Sequence, residues 1–509
     1  MVSEPRVTPQ DEFNRILEKN VRPQDWADPE PAARYNLVVI GAGTAGLVTA
    51  AGAAGLGARV ALVEKNLMGG DCLNVGCVPS KCLIRSARAA ADVRDAGDFG
   101  IDVPGGYVVD FGKVMERMRR LRSGISVNDS ARRFSEELGV DIFLGEGTFT
   151  GPDTLSVNGR TLRFKKAVIT SGARAFELPL EGLAEVGFLT NETVFSLTER
   201  PSRLAVIGAG PLGCELAQTF QRLGSQVSVI EMSPQVLSRE DPDAARMVQS
   251  SMERDGVELL LSTSIKKVEK SAEGKVFSLE IGGQAAELVV DEILIGVGRE
   301  PNVDGLNLEA VDVQYEARTG VKVDEFLRTT NPRIYAAGDI CFPYKFTHTA
   351  DAMARIVIQN ALFMGRKKTS ALTIPWCTYT DPEIAHVGMY ETDAVRAGMQ
   401  VDTFTVPMSD VDRAIADGEK EGMVRIHVKK GSDRILGATI VARHAGEMIS
   451  EISVAMKGKL GLGAISGVIH PYPTQVEAIR KAADAYNRTK LTPGVKKMFE
   501  TILKWQRRK

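Results

Sequence analysis

Leu37-Val-Val-Ile-Gly-Ala-Gly-Thr-Ala-Gly46 reads as an apolar strand, a glycine turn and the start of a helix, and Arg59-Val-Ala-Leu-Val-Glu64 supplies a second strand. The same design recurs at Leu204-Ala-Val-Ile-Gly-Ala-Gly-Pro-Leu-Gly213, followed by Gln226-Val-Ser-Val-Ile-Glu231. In each copy the first glycine (Gly41, Gly208) makes the turn and the second (Gly43, Gly210) lets backbone approach a pyrophosphate. The third (Gly46, Gly213) lets helix pack on strand, and the helix N-terminus attracts phosphate charge. The acid closing each second strand, Glu64 or Glu231, suits a ribose 2′-hydroxyl. One such fingerprint is weak. Two, each with an acid about twenty residues on, specify a duplicated dinucleotide-binding α/β architecture.

About one βαβ unit after the first turn comes Gly69-Gly-Asp-Cys-Leu-Asn-Val-Gly-Cys-Val-Pro-Ser-Lys81. A close pair of cysteines, Cys72 and Cys77, leading out of a dinucleotide fold points to a redox disulfide set against a bound redox cofactor. The bulk properties agree. A chain of 509 residues should hold about three domains. Sixty-three basic against 65 acidic residues, net −2, give no electrostatic reason to expect nucleic acid as a partner. Six cysteines in such a length make no disulfide framework and suit a reducing cytosol, so a cytoplasmic location is expected. Residues 1–34 lack the apolar core of a secretion signal. Residues 37–58 are uncharged and long enough to imitate a membrane span, but glycines at 41, 43, 46, 52, 55 and 57 fit strand, turn and buried helix better.

The 69–81 run resembles, without a gap, the G-G-x-C-x-N-x-G-C-[VI]-P-[ST]-K segment that carries the active disulfide of the flavin-dependent pyridine nucleotide-disulfide oxidoreductases. Mercuric reductase-like proteins resemble the chain most, with dihydrolipoamide dehydrogenase related. Lys166-Ala-Val-Ile-Thr-Ser-Gly-Ala173 and Glu292-Ile-Leu-Ile-Gly-Val-Gly-Arg-Glu-Pro-Asn302 resemble the family's crossings between a flavin domain and an inserted nicotinamide domain. Ile334-Tyr-Ala-Ala-Gly-Asp339 resembles the strand whose last aspartate binds the ribityl chain, and Thr378–Gly388 the opening of the interface domain. The resemblance implies two Rossmann-like domains, one for FAD and one for NAD, plus a C-terminal α+β interface (dimerisation) domain. The expected boundaries are an extension at 1–35, the FAD domain at 36–172 and 300–369, the NAD(P) domain at 173–299, the interface domain at 370–490 and a basic tail at 491–509.

The resemblance also implies roles. Gly41, Gly43, Gly46, Glu64 and Asp339 would bind cofactor on the flavin side, and Gly172, Gly298 and Arg299, in the crossing segments, would also bind cofactor. Gly208, Gly210, Gly213 and Glu231 would do so on the nicotinamide side. A carboxylate at 231 repels a 2′-phosphate and accepts from a free hydroxyl, which favours NADH and leaves NADPH open. Cys77 would be the charge-transfer thiolate against the flavin and Cys72 the interchange thiol. Lys81, one helical turn after Cys77, would lie near flavin N5 with Glu215 as its partner. The other cysteines, at 82, 214, 341 and 377, read as buried structural thiols.

One departure stands out. Dithiol-reducing members carry His-x-His-Pro-Thr-x-x-Glu, in which the second histidine is the acid-base catalyst. Here the run is His470-Pro-Tyr-Pro-Thr-Gln-Val-Glu477, with Tyr472 in the catalytic histidine's place. A phenol titrating near ~10 cannot shuttle protons at neutral pH as imidazole does. On an extended run His470 would share a face with Tyr472, which leaves a displaced base as an open alternative. Mercuric reductases resemble this chain in the tyrosine, and soft metal ions need thiolates rather than a proton donor. Their N-terminal Cys-x-x-Cys domain and terminal cysteine pair are not in this sequence, whose last cysteine is Cys377. No resident metal is expected.

These readings give an enzyme that passes electrons from NAD(P)H through FAD to a Cys72–Cys77 disulfide and on to a mercuric-ion-like soft metal or small oxidant. A lipoamide-class dithiol oxidoreductase and a non-enzymatic FAD redox sensor are the alternatives. A homodimer is implied, with Tyr472 and Glu477 reaching the other subunit's disulfide. Residues 491–509 read as a helix after Pro493 with an apolar side and basic charges, which fits either docking on a dimer or peripheral contact with a membrane.

Overall fold

Tyr35–Ile40 (β1) buries five of its six residues and Val60–Glu64 (β2) all five. Such strands are parallel and covered on both faces rather than half exposed. In the computed structural model, which describes residues 7–507, β1 pairs in parallel with β2 and with Arg160–Ile169. Asp141–Leu144 (β3) lies beyond β2. Thr148–Gly151 (β4) and Thr154–Val157 (β5) extend Arg160–Ile169 (β6) as an antiparallel flap, and Ile334–Ala336 pairs with β6 to complete seven strands.

The chain forms two compact units, one of residues 7–208, 219–232 and 258–372, the other of 209–218, 233–257 and 373–507. In the first, helix Glu12–Val21 (α1) starts at Asp11, whose carboxylate caps the Asn14 N–H. Its Leu17 and Val21 are wholly buried in the core beneath β1 and β2. Thr44–Gly55 (α2) follows the first glycine turn and is rich in small buried residues. A Cβ on Gly52 would stand 2.6 Å from Ile358 Cδ1 of helix Thr347–Leu362, so close packing there needs glycine.

The second glycine unit builds a four-stranded parallel sheet in the order Glu258–Leu260, Gln226–Ile230, Arg203–Ile207, Glu292–Ile295. A three-stranded antiparallel sheet, Thr263–Lys270, Lys275–Ile281 and Gln284–Val290, accompanies it. Ala173–Ala175 and Arg299–Pro301 pair antiparallel, so the two expected crossing segments run side by side.

The second unit carries a five-stranded antiparallel sheet, ordered Pro375–Thr378, Glu383–Gly388, Ile435–Ala442, Met423–Lys429, Val401–Pro407. Its middle strand, Ile435–Ala442, is buried at all eight positions. Helices Ala445–Lys457 and Glu477–Thr489 share its core. The architecture is therefore α/β throughout the first unit and α+β in the sheet of the second. Helix Pro493–Gln506 follows, with no buried residue. No helix among the described residues is long and apolar enough to cross a membrane.

Candidate active site

The first glycine turn is a place where backbone meets backbone. A Cβ on Gly46 would land on the carbonyl oxygen of Gly41, and one on Gly70 (φ +57°) would stand 2.6 Å from Gly43 Cα. The turn opens α2, whose first N–H groups are the natural partners of a pyrophosphate. Glu64, at the end of β2, is buried; its Oε2 accepts the Ala42 N–H at 2.6 Å and its Oε1 the Asn66 N–H at 2.6 Å. Burial raises the pKa of this carboxyl. Each oxygen keeps a second lone pair for a sugar hydroxyl. A bare turn, a helix N-terminus and a fixed acid fit the adenosine half of FAD.

Gly69 and Gly70, both at positive φ, start the short helix Gly70–Asn74 (α3) that carries Cys72. Gly76 precedes Cys77, the first residue of Cys77–Arg94 (α4). A thiol at a helix N-terminus gains from the partial positive charge there. Thr347, first residue of its own helix, sets Oγ1 at 3.3 Å from Cys77 Sγ. Both cysteines are thiols, Cys72 half-buried and Cys77 exposed. A hydrogen bond to Cys77, with burial behind it, pushes the Cys72 thiol up. Lys81 stands on α4 one turn after Cys77.

Arg299 gathers the neighbouring elements. Its guanidinium donates to Asp71, beside Cys72, and at 2.6 Å to the Ala173 carbonyl, while Nε lies 3.5 Å from Asp339 Oδ2. Burial lifts the Asp339 carboxyl against the pull of Arg299. Lys345 Nζ donates to the Asp339 carbonyl at 2.6 Å. Gly172 and Gly298, at φ +70° and +66°, make the turns flanking the paired crossing strands. The sequence-derived residues Cys72, Cys77, Gly172, Gly298, Arg299 and Asp339 thus lie in one unit, and Arg299 bridges Asp71 and Asp339.

Gly208 turns at φ +97° after strand Arg203–Ile207. A Cβ on Gly210 would meet open space, so the protein's own packing does not demand that glycine. Gly213 lies on helix Pro211–Arg222. Glu231 directly follows Gln226–Ile230; its N–H donates to Leu260 and its carbonyl accepts from Thr263 N–H, each at 3.0 Å. Glu215 is buried in the second unit, where its Oε1 accepts the Tyr379 N–H at 2.8 Å.

In the second unit His470 and Tyr472 face different surroundings. His470 is 9 % exposed, with Nε2 2.9 Å from Glu451 Oε1 and Nδ1 3.1 Å from the Val468 carbonyl. Tyr472 is 69 % exposed and donates its hydroxyl to Asp412 Oδ2 at 2.8 Å. That bond raises the phenol's pKa. The expectation of a shared face does not hold: the run between Pro471 and Pro473 forms no strand, so two-residue alternation does not apply. Glu477 opens helix Glu477–Thr489, and its buried Oε2 has no hydrogen-bond partner among the described residues.

The structure adds residues that motif reading missed. Arg122, on Phe111–Ile125 (α5), is 2 % exposed; it donates to the Asn74 carbonyl at 2.6 Å and to Asn14 Oδ1 of α1 at 2.7 Å. Asn74 closes α3, two residues after Cys72. Thr347 reaches Cys77 across 270 residues of sequence. No local pattern marks either contact. The one available signal was an uncompensated arginine in the apolar face of a helix.

Comparison with known proteins gives consistent matches. The family described as "Pyridine nucleotide-disulphide oxidoreductase" matches residues 35–354, and its dimerisation domain matches 374–483. Mercuric reductase of Staphylococcus aureus is 32% identical over 454 residues, covering 89% of this chain and 83% of the relative. Dihydrolipoyl dehydrogenase of Chlamydia muridarum is 32% identical over 459 residues, covering 88% and 96%. Among solved structures, the HOCl-induced flavoprotein disulfide reductase RclA from Escherichia coli superposes with TM-score 0.80 at 26% identity, covering 88% of this chain and 99% of that one. A Cu(II) complex of RclA matches with TM-score 0.78 at 26% identity, covering 87% and 98%.

Proposed function

Because this chain belongs to the pyridine nucleotide-disulphide oxidoreductase family, we propose that it oxidises NADH and delivers the electron pair through Cys72 and Cys77 to a thiophilic metal ion. It is an NAD(P)H-dependent flavoprotein disulfide oxidoreductase bearing the family's dimerisation domain. Bound FAD would supply the two-electron carrier between nicotinamide and the thiols. The first glycine turn, Glu64 and Asp339 are the residues that would hold it, and Gly208, Gly210, Gly213 and Glu231 those that would hold the nicotinamide coenzyme.

Cys77 opens one helix and lies 3.3 Å from Thr347 Oγ1 at the start of another, while the pKa of the Cys72 thiol beside it is pushed up, which supports Cys77 as the sulfur that carries charge toward the flavin and Cys72 as the exchange thiol. Lys81 would add a cation on the same helix. In a dimer, Tyr472 and Glu477 would complete the partner's site. The overall step balances as NADH plus Hg(II) giving NAD⁺, one proton and Hg(0), or as NADH plus two Cu(II) giving NAD⁺, one proton and two Cu(I). The dithiolate binds the ion, and no leaving thiol has to be protonated.

The observation that carries this acceptor is the pairing at the C-terminal run. The exposed position holds a phenol bonded to Asp412, and the only imidazole in that run is buried against Glu451. Relatives named mercuric reductase and a Cu(II) complex of RclA support the same class of acceptor. Steady-state NADH oxidation against Hg(II), Cu(II), lipoamide, glutathione disulfide and quinones tests it, with turnover of a metal ion well above the disulfides expected.

A further inference from the structure

Helix Pro493–Gln506 carries its own N-terminal start signals. Thr492 caps it by accepting the Val495 N–H, Pro493 occupies its first turn, and it runs for 14 residues. None of those residues is buried. At about 100° per residue, Val495, Met498, Phe499, Ile502, Leu503 and Trp505 fall within an arc of about 160°. Met498 is 51 %, Leu503 56 % and Trp505 60 % exposed. The opposite arc holds Lys496, Lys497, Lys504 and Arg507 against the single acid Glu500.

Two features choose the occupant of this face. The dimerisation match ends at residue 483, before the helix begins. The two arcs also make different demands. A second copy or a protein groove would cover the apolar arc and leave four cations in water with nothing to gain. An anionic lipid surface satisfies both at once, with apolar side chains at the acyl boundary, cations among the phosphates and Trp505 at headgroup depth. At about 1.5 Å per residue the helix is too short to span a bilayer.

We propose that helix Pro493–Gln506 lies in the headgroup plane of an anionic membrane and holds the enzyme there as a peripheral protein. The inference is independent of which acceptor the thiols reduce.

The test is co-sedimentation of the full-length FAD-loaded enzyme with vesicles of phosphatidylcholine alone and of phosphatidylcholine mixed with phosphatidylglycerol. Binding is expected to the anionic vesicles only, weakening as salt rises. Each cation near the surface contributes about five-fold to binding, so Lys497→Glu with Lys504→Glu should lower the partition coefficient by at least ~25-fold. Phe499→Ser with Trp505→Ser should abolish binding, with NADH turnover and sedimentation coefficient unchanged. Failure of the wild type to bind anionic vesicles, equal and salt-insensitive binding to neutral ones, or dissociation of the dimer in the apolar variant would each overturn the proposal. The last outcome would assign the face to a second copy.

Discussion

Asn14 and Arg122 meet in a buried hydrogen bond, Nη2 to Oδ1 at 2.7 Å, and the same guanidinium holds the Asn74 carbonyl that closes the helix carrying Cys72. A segment lying ahead of the family match is thereby tied to the redox turn. Arg22 makes a second tie, donating to the carbonyls of Lys65 at 3.1 Å and Asn66 at 2.7 Å.

Asn14→Ala should leave one arm of a buried guanidinium unpaired, at about 1–3 kcal/mol. Thermal unfolding should move down by several degrees, and Cys72 should react faster with a thiol reagent. Asn14→Asp, which restores an acceptor, should recover both. An unchanged melting temperature in Asn14→Ala would show that the bond holds nothing in place.

The thiol pair sets a second expectation. Reduced enzyme should show a long-wavelength thiolate-to-flavin absorption that Cys77→Ser abolishes with flavin still bound. Thr347→Val, which removes the hydroxyl 3.3 Å from Cys77 Sγ, should weaken the band at neutral pH. Loss of the band in Cys72→Ser but not in Cys77→Ser would exchange the two roles.

Coenzyme choice rests on Glu231. A 2′-phosphate beside a carboxylate costs about 1–3 kcal/mol, one to two decades in affinity. NADH should therefore be preferred, and Glu231→Arg should move the kcat/KM ratio toward NADPH. A wild type already favouring NADPH by about ten-fold would mean that the carboxylate faces away from the ribose.

The second unit should be acid-sensitive through His386. Its ring is wholly buried, set between Thr439 Oγ1 at 2.8 Å and the Gly388 carbonyl at 3.1 Å and stacked on Tyr390 near Trp376. Burial pushes its pKa down from 6.5 to about 3. Below 6.5 the unfolded chain takes up a proton that the native ring refuses, so the stability present above that pH is lost on acidification, at about 1.4 kcal/mol per pH unit. His427, also depressed by burial, acts with the same sign. Glu240, raised by burial while accepting from Trp376 and Tyr390, acts with the opposite sign above its ordinary value. His386→Gln should flatten the fall in urea midpoint between pH 6.5 and 5.5; an unaltered slope would remove His386 as its cause.

What was legible in the sequence is what local sterics dictate. The strand–turn–helix units show because only glycine tolerates the contact of Gly46 with the Gly41 carbonyl, and uninterrupted burial of β1 and β2 leaves a run without polar alternation. The cysteine turn shows through its close cysteine pair and its gapless likeness to the family's segment. The supports of the site do not show. Thr347 and Cys77 are 270 residues apart, Asn14 and Arg122 108, and each contact exists only after the sheet has formed. The shared face of His470 and Tyr472 was misjudged because alternation presumes a strand, which the segment between Pro471 and Pro473 does not form.

The acceptor is decided by comparing turnover of lipoamide and Hg(II) by wild type and by Tyr472→His under one set of conditions. Removing a positioned acid-base costs about two to four decades in rate. Wild type should therefore reduce Hg(II) with NADH while lipoamide turnover stays at least ~100-fold lower, and Tyr472→His should raise lipoamide turnover if Glu477 orients the new imidazole. Rapid lipoamide turnover by the wild type, eliminated in His470→Gln, would contradict the account and make His470 the base of a dithiol enzyme.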